Sequence, residues 1–108
     1  MEKTVLELTS ELCGILRGNY FTNCGSRLNY DFAIVPGRKY LKVVTVDDSN
    51  HRSVHGFVDK KTGDLLKPAS WNAPAKGVRY NLVRDIESLR TIGKTMGNMW
   101  CGSYLYRR

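Results

Sequence analysis

The sequence predicts an α+β fold in a single domain, residues 1–108, with an N-terminal helix, an antiparallel sheet of three to four strands, a second helix and a short C-terminal strand or tail. Three observations support this fold. Apolar residues recur at helical spacing near both ends of the chain, apolar and polar residues alternate in its middle, and turn-forming residues separate the alternating segments. With 42% hydrophobic and 25% charged residues, the chain can bury one compact core, which excludes a disordered or low-complexity protein.

Residues 5–17 are predicted to form the first helix, because their apolar side chains follow a spacing of three and four residues. These side chains are Val5, Leu8, Leu12 and Ile15. Thr4 and Glu7 match a capping box, in which each side chain accepts a hydrogen bond from the backbone N–H of the other residue. Gly18 is predicted to end the helix, because glycine readily adopts the left-handed conformation of a helix C-terminus.

Four strands are predicted between the helices, at residues 28–34, 40–46, 53–59 and 64–66. The first alternates apolar and polar residues as a half-buried strand does, whereas the second is apolar on both faces and is typical of a central strand. Gly63 is predicted to be left-handed in the turn before the last strand. Beyond that strand the alternation stops, and Pro68 and Pro74 predict an irregular loop from Lys67 to Tyr80.

The second helix is predicted to begin after Asn81, because asparagine at the N-cap position accepts a hydrogen bond from a helical N–H. Its apolar stripe consists of Val83, Ile86 and Leu89. Gly93 or Gly97 is predicted to end this helix. Residues 104–108 are expected to form either a last strand or a packed tail.

The formal net charge is +7, and almost all of the excess lies in the second half of the chain. Residues 55–108 contain ten Lys and Arg against four Asp and Glu, whereas residues 1–54 contain seven against six. An anionic partner is one interpretation of this excess, and a solvated basic face that only aids solubility is the other. No apolar run approaches the roughly 20 residues of a membrane-spanning helix, so we expect no membrane partner.

The sequence contains no pattern that predicts an enzyme, a metal site or a cofactor. Gly93-Lys94-Thr95 matches the end of a phosphate-binding P-loop, but Ser88 occupies the position of the required glycine and a helix precedes the motif. His51 and His55 lie on a predicted strand, where four residues span roughly 13 Å, too far for one metal ion. We interpret them as a turn histidine and a surface-strand histidine.

The loop before the second helix carries candidate ligand-binding residues. Trp71 can stack on a base, Lys76 and Arg79 can bind phosphate oxygens, and Asn81 can bind a purine edge or a ribose. Each residue also has a structural interpretation: Trp71 as a plug on the open side of the sheet, Asn81 as a helix cap, and the two cations as solvated charges. The residues alone leave both interpretations open.

Residues 57–81 read FVDKKTGDLLKPASWNAPAKGVRYN. This segment resembles a KxGDxxKPASWxxPAKxxRxN block of a family of small phage proteins. The nearest characterised group that it resembles is the first family of Thoeris anti-defence proteins, which bind cyclic ADP-ribose isomers made by bacterial TIR-domain enzymes and withhold them from the effector.

The resemblance implies a homo-oligomer, dimeric or higher, in the cytoplasm of an infected bacterial host. It would sequester cyclic ADP-ribose-type signals without degrading them, and cyclic oligonucleotides are a further ligand class associated with that family. In that family an aromatic residue and an asparagine about ten positions on contact the ligand, as Trp71 and Asn81 would here. We add Arg107 and Arg108 as candidates because they are cations near a tyrosine-rich terminus.

Two other functions are left open. The order of helix, strands and helix is similar to that of double-stranded RNA-binding domains, and the charge excess suits a polyanion, although Asp85 and Glu87 dilute the basic charge at the start of the second helix. A phage inhibitor that contacts a host protein through its basic face is the other alternative.

Overall fold

A computed structural model describes residues 4–24, 31–47, 51–97 and 99–106 of the chain. The elements are, in order, α1 (Val5–Cys24), β1 (Asp31–Pro36), β2 (Tyr40–Val46), β3 (Arg52–Asp59), β4 (Asp64–Leu66), β5 (Tyr80–Asn81) and α2 (Leu82–Thr95). Two short 3₁₀ turns follow, at Met99–Cys101 and Ser103–Tyr106. The predicted α+β class is confirmed.

The described strands form one antiparallel sheet in the order β1-β2-β3-β4-β5. It has five strands instead of the predicted three to four, because Tyr80 at the start of β5 pairs with Leu65 of β4. Because β5 has only two residues, it shows no alternation of apolar and polar side chains from which a strand could be predicted. The predicted central position of β2 is confirmed by its pairing with β1 on one side and β3 on the other. The predicted residues 28–30 of the first strand lie outside the described residues.

Both helices pack against one face of the sheet, which we call the inner face. Leucines of α1 and α2 share a core with inward side chains from the first four strands: Leu8, Leu12, Leu16, Leu82 and Leu89 from the helices, and Phe32, Leu41, Val43, Val58 and Leu65 from the strands. Residues that alternate with these point to the opposite side, which we call the outer face. They include Val35, Tyr40, Lys42 and Phe57.

A β-bulge in β3 changes the alternation at its middle. Val43 pairs with Gly56 but Val44 pairs with Val54, so His55 is the extra residue. His55 and Val58 therefore both point inward although three positions separate them. The interpretation of His55 as a surface histidine is wrong, because its ring is buried.

The buried His55 ring has specific partners in the core. Its Nε2 shares a hydrogen bond of 2.7 Å with the Tyr104 hydroxyl, and the ring packs edge-on against Phe32 with 5.7 Å between the ring centroids. Burial lowers the pKa of His55 to about 4. The imidazole is therefore neutral at physiological pH and acts as a packed, hydrogen-bonded core group.

Helix α1 continues past its predicted end at Gly18 to Cys24. Leu16, Asn19 and Tyr20 extend the buried stripe, so packing favours further helical turns. Gly18 lies on the exposed side of α1, where nothing lies within 4 Å of the position that a Cβ would occupy.

Asn19 ties α1 to the C-terminal part of the chain. Its Nδ2 donates hydrogen bonds to the carbonyl oxygens of Gly93 (3.0 Å) and Met96 (2.7 Å), and its Oδ1 accepts one from the Trp100 N–H (2.9 Å). These bonds satisfy carbonyls at the end of α2 that lack helical partners. Tyr104 and Leu105 are buried beyond this point and belong to the second 3₁₀ turn, so the described part of the predicted segment 104–108 is a packed tail and not a strand. Residues 107 and 108 lie outside the described residues.

The free energy of unfolding should fall as pH decreases from about 6.5 towards 4. An unfolded histidine titrates near 6.5 and the folded His55 near 4, so the unfolded state binds an additional proton within this window. The loss should reach roughly 3 kcal/mol at most. Urea denaturation at a series of pH values measures it. His55→Gln should flatten the dependence and His51→Gln, in the exposed turn, should not; a dependence unchanged by His55→Gln would contradict this origin.

Two helical glycines should respond oppositely to alanine. A Cβ on Gly93 would lie 2.5 Å from Cγ2 of Ile15 on α1, whereas a Cβ on Gly14 would meet nothing within 4 Å. Gly14→Ala should raise the free energy of unfolding by up to about 1 kcal/mol through helix propensity. Gly93→Ala should lower it by about 1 kcal/mol, because overpacking exceeds the propensity gain. Equal stabilisation of both variants in urea denaturation would contradict the close approach of the helices.

Candidate functional site

The loop between β4 and β5 closes on itself to form a tongue, residues 67–75. The Ala75 N–H donates a hydrogen bond to the Lys67 carbonyl oxygen (2.8 Å), Pro68 and Pro74 face each other in an isolated β-bridge, and the Ser70 N–H donates to the Ala73 carbonyl oxygen (3.1 Å). These contacts are local, so the tongue has a defined shape despite its lack of a sequence period. Its tip carries Trp71.

Trp71 lies over the outer face of the sheet. The Nζ atom of Lys42, an outer-face residue of β2, lies 4.4 Å from the centroid of the indole ring, within the range of a cation–π interaction. Trp71 nevertheless remains 44% exposed. The indole thus partly covers the sheet, as the plug interpretation predicts, and still presents a large aromatic surface to solvent.

A groove that we call the turn groove lies on one side of the tongue. It has a volume of about 320 Å³ and is lined by the β1–β2 turn, the outer face and one tongue residue: Val35, Pro36, Gly37, Arg38, Lys39, Tyr40, Lys42, Phe57 and Asn72. Tyr40 and Phe57 pack edge-on, with 5.9 Å between their ring centroids. The turn groove therefore combines aromatic residues with three cations.

A second groove, which we call the strand groove, lies between the tongue and β3. It has a volume of about 350 Å³ and is lined by Arg52, Ser53, Val54, Pro68, Ala69, Ser70 and Trp71. Its described lining residues include one cation, Arg52, and two serines, Ser53 and Ser70. The tongue thus lies between the two grooves, and its Trp71 and Asn72 each line one of them.

The electrostatic character of both grooves is uniformly positive. Among the described residues, none that lines either groove is acidic. Arg38, Lys39, Lys42 and Arg52 form no ion pair with any acid in the described part of the chain. Lys39 and Lys42 lie over aromatic rings, which do not neutralise them, so this face can attract an anion.

The other predicted cations do not join this site. Lys76 is exposed and Arg79 is half-buried, and neither lines the turn groove or the strand groove. The backbone N–H of Arg79 donates to the Leu65 carbonyl oxygen (2.9 Å), which extends the contact between the loop and β4. The predictions for Arg107 and Arg108 lie outside the described residues.

Asn81 has the structural role that was one of its two interpretations. Its Oδ1 accepts a hydrogen bond from the Arg84 N–H (3.0 Å) and caps α2. Its Nδ2 donates to the Thr62 carbonyl oxygen (2.9 Å) and to Oδ1 of Asp64 (2.8 Å). Both amide hydrogens are therefore occupied, and the helix-cap interpretation is confirmed. The amide has no donor left for a ligand.

The cations of the grooves were missed because they are distant from Trp71 in sequence. Arg38 and Lys39 belong to the β1–β2 turn, Lys42 to β2 and Arg52 to β3. One signal was available: Lys42 is the only charged residue in the otherwise apolar and threonine-containing run 40–46. A cation in a central strand that is otherwise apolar indicates that the face on which it lies is partly open to solvent or to a ligand.

A larger groove, the helix groove, lies between α1 and α2. Its volume is about 520 Å³, and its lining includes the Gly93-Lys94-Thr95 segment but none of the predicted ligand-binding residues. Arg90 in its wall forms ion pairs with Glu11 and Glu87, which neutralise its charge. The groove results from the glycines on both helices, and we do not place the site there.

The comparisons with known proteins give a family. The chain belongs to DUF7717. The model of this family, which is described as a family of unknown function, matches residues 1–107. No curated protein and no solved structure matches the chain significantly.

Two further properties concern the described residues alone. No helix that they form is long and apolar enough to cross a membrane. Among the same residues, no group of three or more His, Cys, Asp and Glu side chains is placed to hold a metal ion.

Asn81→Ala should lower the free energy of unfolding by about 1–2 kcal/mol, because it removes the cap of α2 and two further hydrogen bonds. Asn81→Ser, which keeps an acceptor for the helix cap, should lose less. Asn72→Ala is the matched control, since this exposed asparagine lies in the tongue. Urea denaturation compares the three variants, and an Asn81→Ala midpoint equal to wild type would show that the cap is dispensable.

Proposed function

We propose that the protein binds and sequesters a cyclic nucleotide signal of the cyclic ADP-ribose type, without degrading it, on the outer face of its sheet. The observation that carries this proposal is the exposed Trp71 between two grooves whose described lining residues include cations and no acid. In this proposal the protein acts as a homo-oligomeric anti-defence protein in the cytoplasm of an infected bacterial host, as the resemblance of residues 57–81 implies.

The indole of Trp71 supplies the contact with the base. Stacking of a base on an aromatic side chain contributes about 1–3 kcal/mol and tolerates any base, because every base has a π-face. Lys42 lies against the ring, so its positive charge can attract the phosphate of a ligand whose base stacks on Trp71. The backbone hydrogen bonds within the tongue fix the backbone that carries Trp71, so less conformational entropy is lost there when a ligand binds.

The composition of the grooves favours binding over turnover. Their described lining residues include Ser, Asn, Tyr, Lys and Arg side chains but no His, Cys, Asp or Glu. Hydrolysis of a phosphodiester or glycosidic bond commonly uses such groups as general acids, bases or nucleophiles. A ligand held only by an aromatic ring and cations would stay bound without being cleaved, which is what sequestration requires.

A retention assay tests this proposal. Purified protein is mixed with cyclic ADP-ribose isomers or cyclic oligonucleotides, washed and heat-denatured, and the released material is identified by chromatography. Wild-type protein should release one species intact. Trp71→Ala should lower its affinity by about fivefold to about 150-fold, as expected for loss of a stacked base that contributes about 1–3 kcal/mol. Phe21→Ala is the matched control, because this aromatic residue is also exposed but lies on α1.

Three outcomes would contradict the proposal. Release of a hydrolysed product would identify an enzyme, and equal retention by Trp71→Ala and wild type would remove the site. Retention of no small molecule, together with duplex RNA binding that weakens steeply with salt, would favour the nucleic-acid alternative. One observation speaks against that alternative: Arg84 in the first turn of α2 is paired with Asp85 (Nη2–Oδ2 2.9 Å).

A further inference from the structure

We infer that the turn groove is the phosphate subsite of the proposed site, and that Arg38, Lys39 and Lys42 bind the phosphate of a nucleotide whose base stacks on Trp71. This inference rests on the proposed function for the position of the base. It assigns the phosphate contacts to the β1–β2 turn and β2, and not to Lys76 or Arg79 of the loop.

Charge selects the turn groove over the strand groove. Among the described residues, three cations line the turn groove and one, Arg52, lines the strand groove. A phosphate that leaves water needs several charge-assisted hydrogen bonds to replace its hydration. Arginine can offer two parallel donors and lysine a point charge, so Arg38 with Lys39 and Lys42 can surround one phosphate.

The three cations retain their charge for a ligand. Nζ of Lys42 lies 4.4 Å from the Trp71 ring centroid, and Nζ of Lys39 lies 5.4 Å from that of Tyr40. A ring quadrupole orients an ammonium group without neutralising it, unlike a carboxylate. Arg38 is exposed and has no acid partner among the described residues.

The backbone of the groove is fixed before any ligand binds. The Gly37 N–H donates a hydrogen bond to the Tyr40 carbonyl oxygen (2.9 Å), which closes the β1–β2 turn. The Lys60 N–H donates to the Lys39 carbonyl oxygen (3.1 Å), which joins this turn to the β3–β4 turn. Phe57 is buried beside Tyr40 and gives the groove an apolar base, where ionic contacts are stronger than in bulk water.

Lys42 and Asn72 connect this groove with the stacking surface. Lys42 lines the groove and its Nζ also lies over the Trp71 ring, so one side chain borders both the groove and the stacking surface, and in this proposal one nucleotide spans the two. Asn72, next to Trp71 in the chain, lines the same groove, and its side-chain amide forms no hydrogen bond within the described part of the structure. Its amide can bind sugar hydroxyls between base and phosphate. The site should therefore prefer nucleotides to nucleosides.

Isothermal titration calorimetry with adenosine monophosphate, adenosine and a cyclic ADP-ribose isomer tests the subsite. Wild type should bind the phosphorylated ligands more tightly than adenosine. Lys42→Met, which keeps the apolar stem, and the double variant Arg38→Ala/Lys39→Ala should each weaken the phosphorylated ligands by about tenfold or more. They should leave adenosine within about twofold of wild type.

The control is Lys60→Ala/Lys61→Ala, which removes the same charge from the exposed β3–β4 turn. It should change affinity by less than about threefold, as expected for screened surface charges. Amide spectra of each variant establish that it is folded. A larger loss from Arg52→Ala than from the turn variants, or equal affinities for adenosine and its monophosphate, would overturn the inference.

The experiments distinguish failure of the sequestering function from failure of the phosphate subsite. Adenosine monophosphate binding with these variant effects, but without retention of any cyclic nucleotide, would support the subsite and overturn the sequestering function. Cyclic nucleotide retained equally by wild type and the turn variants would overturn the subsite and support the function. Binding of no phosphorylated ligand by wild type would overturn both.

Discussion

The outer face depends on the way in which β5 joins β4 and α2. Asp64 and Leu65 pair with Asn81 and Tyr80, and the Asn81 amide bonds the β3–β4 turn and the first turn of the helix. The two ends of the connecting loop are therefore fixed side by side on one edge of β4. Because the helices already fill the inner face, the loop can fold back only over the outer face, and it carries Trp71 there.

The same constraint explains why the binding surface combines distant parts of the chain. The tongue meets β3 and β2 because these two strands are next to β4 in the sheet. Lys42 of β2 lies over the indole, Arg52 of β3 lines the strand groove with Trp71, and the cations of the β1–β2 turn line the turn groove with Asn72. Trp71, Asn72 and the cations of the turn groove therefore form one surface, although more than 25 residues separate Trp71 from the nearest turn-groove cation, Lys42.

Much of the fold was predictable because local patterns and tertiary packing agree. Strand β2, the turn at Gly63, with φ of +81°, and the N-cap at Asn81 all follow from local chemistry. The disagreements have specific causes. Packing of Tyr20 and its neighbours overrode the stop signal at Gly18, and one inserted residue in β3 turned His55 inward. A bulge of this kind leaves no trace in the hydrophobic pattern, because its effect depends on the partner strand.

Only part of the candidate site could be predicted from the sequence. A tryptophan in a loop is a local signal that the sequence shows, whereas the contact between Lys42 and Trp71 depends on the tertiary fold.

Two-dimensional ¹H–¹⁵N spectra of the two tryptophan indoles test the central claim most directly, since Trp71 is exposed on the tongue and Trp100 packs edge-on against Tyr20 near the helix groove. On titration with a cyclic ADP-ribose isomer, the Trp71 indole signal and the amide of Lys42 should shift, while the Trp100 indole signal stays in place. Shifts of Trp100 and Gly93 without a shift of Trp71 would contradict the account and move the site to the helix groove.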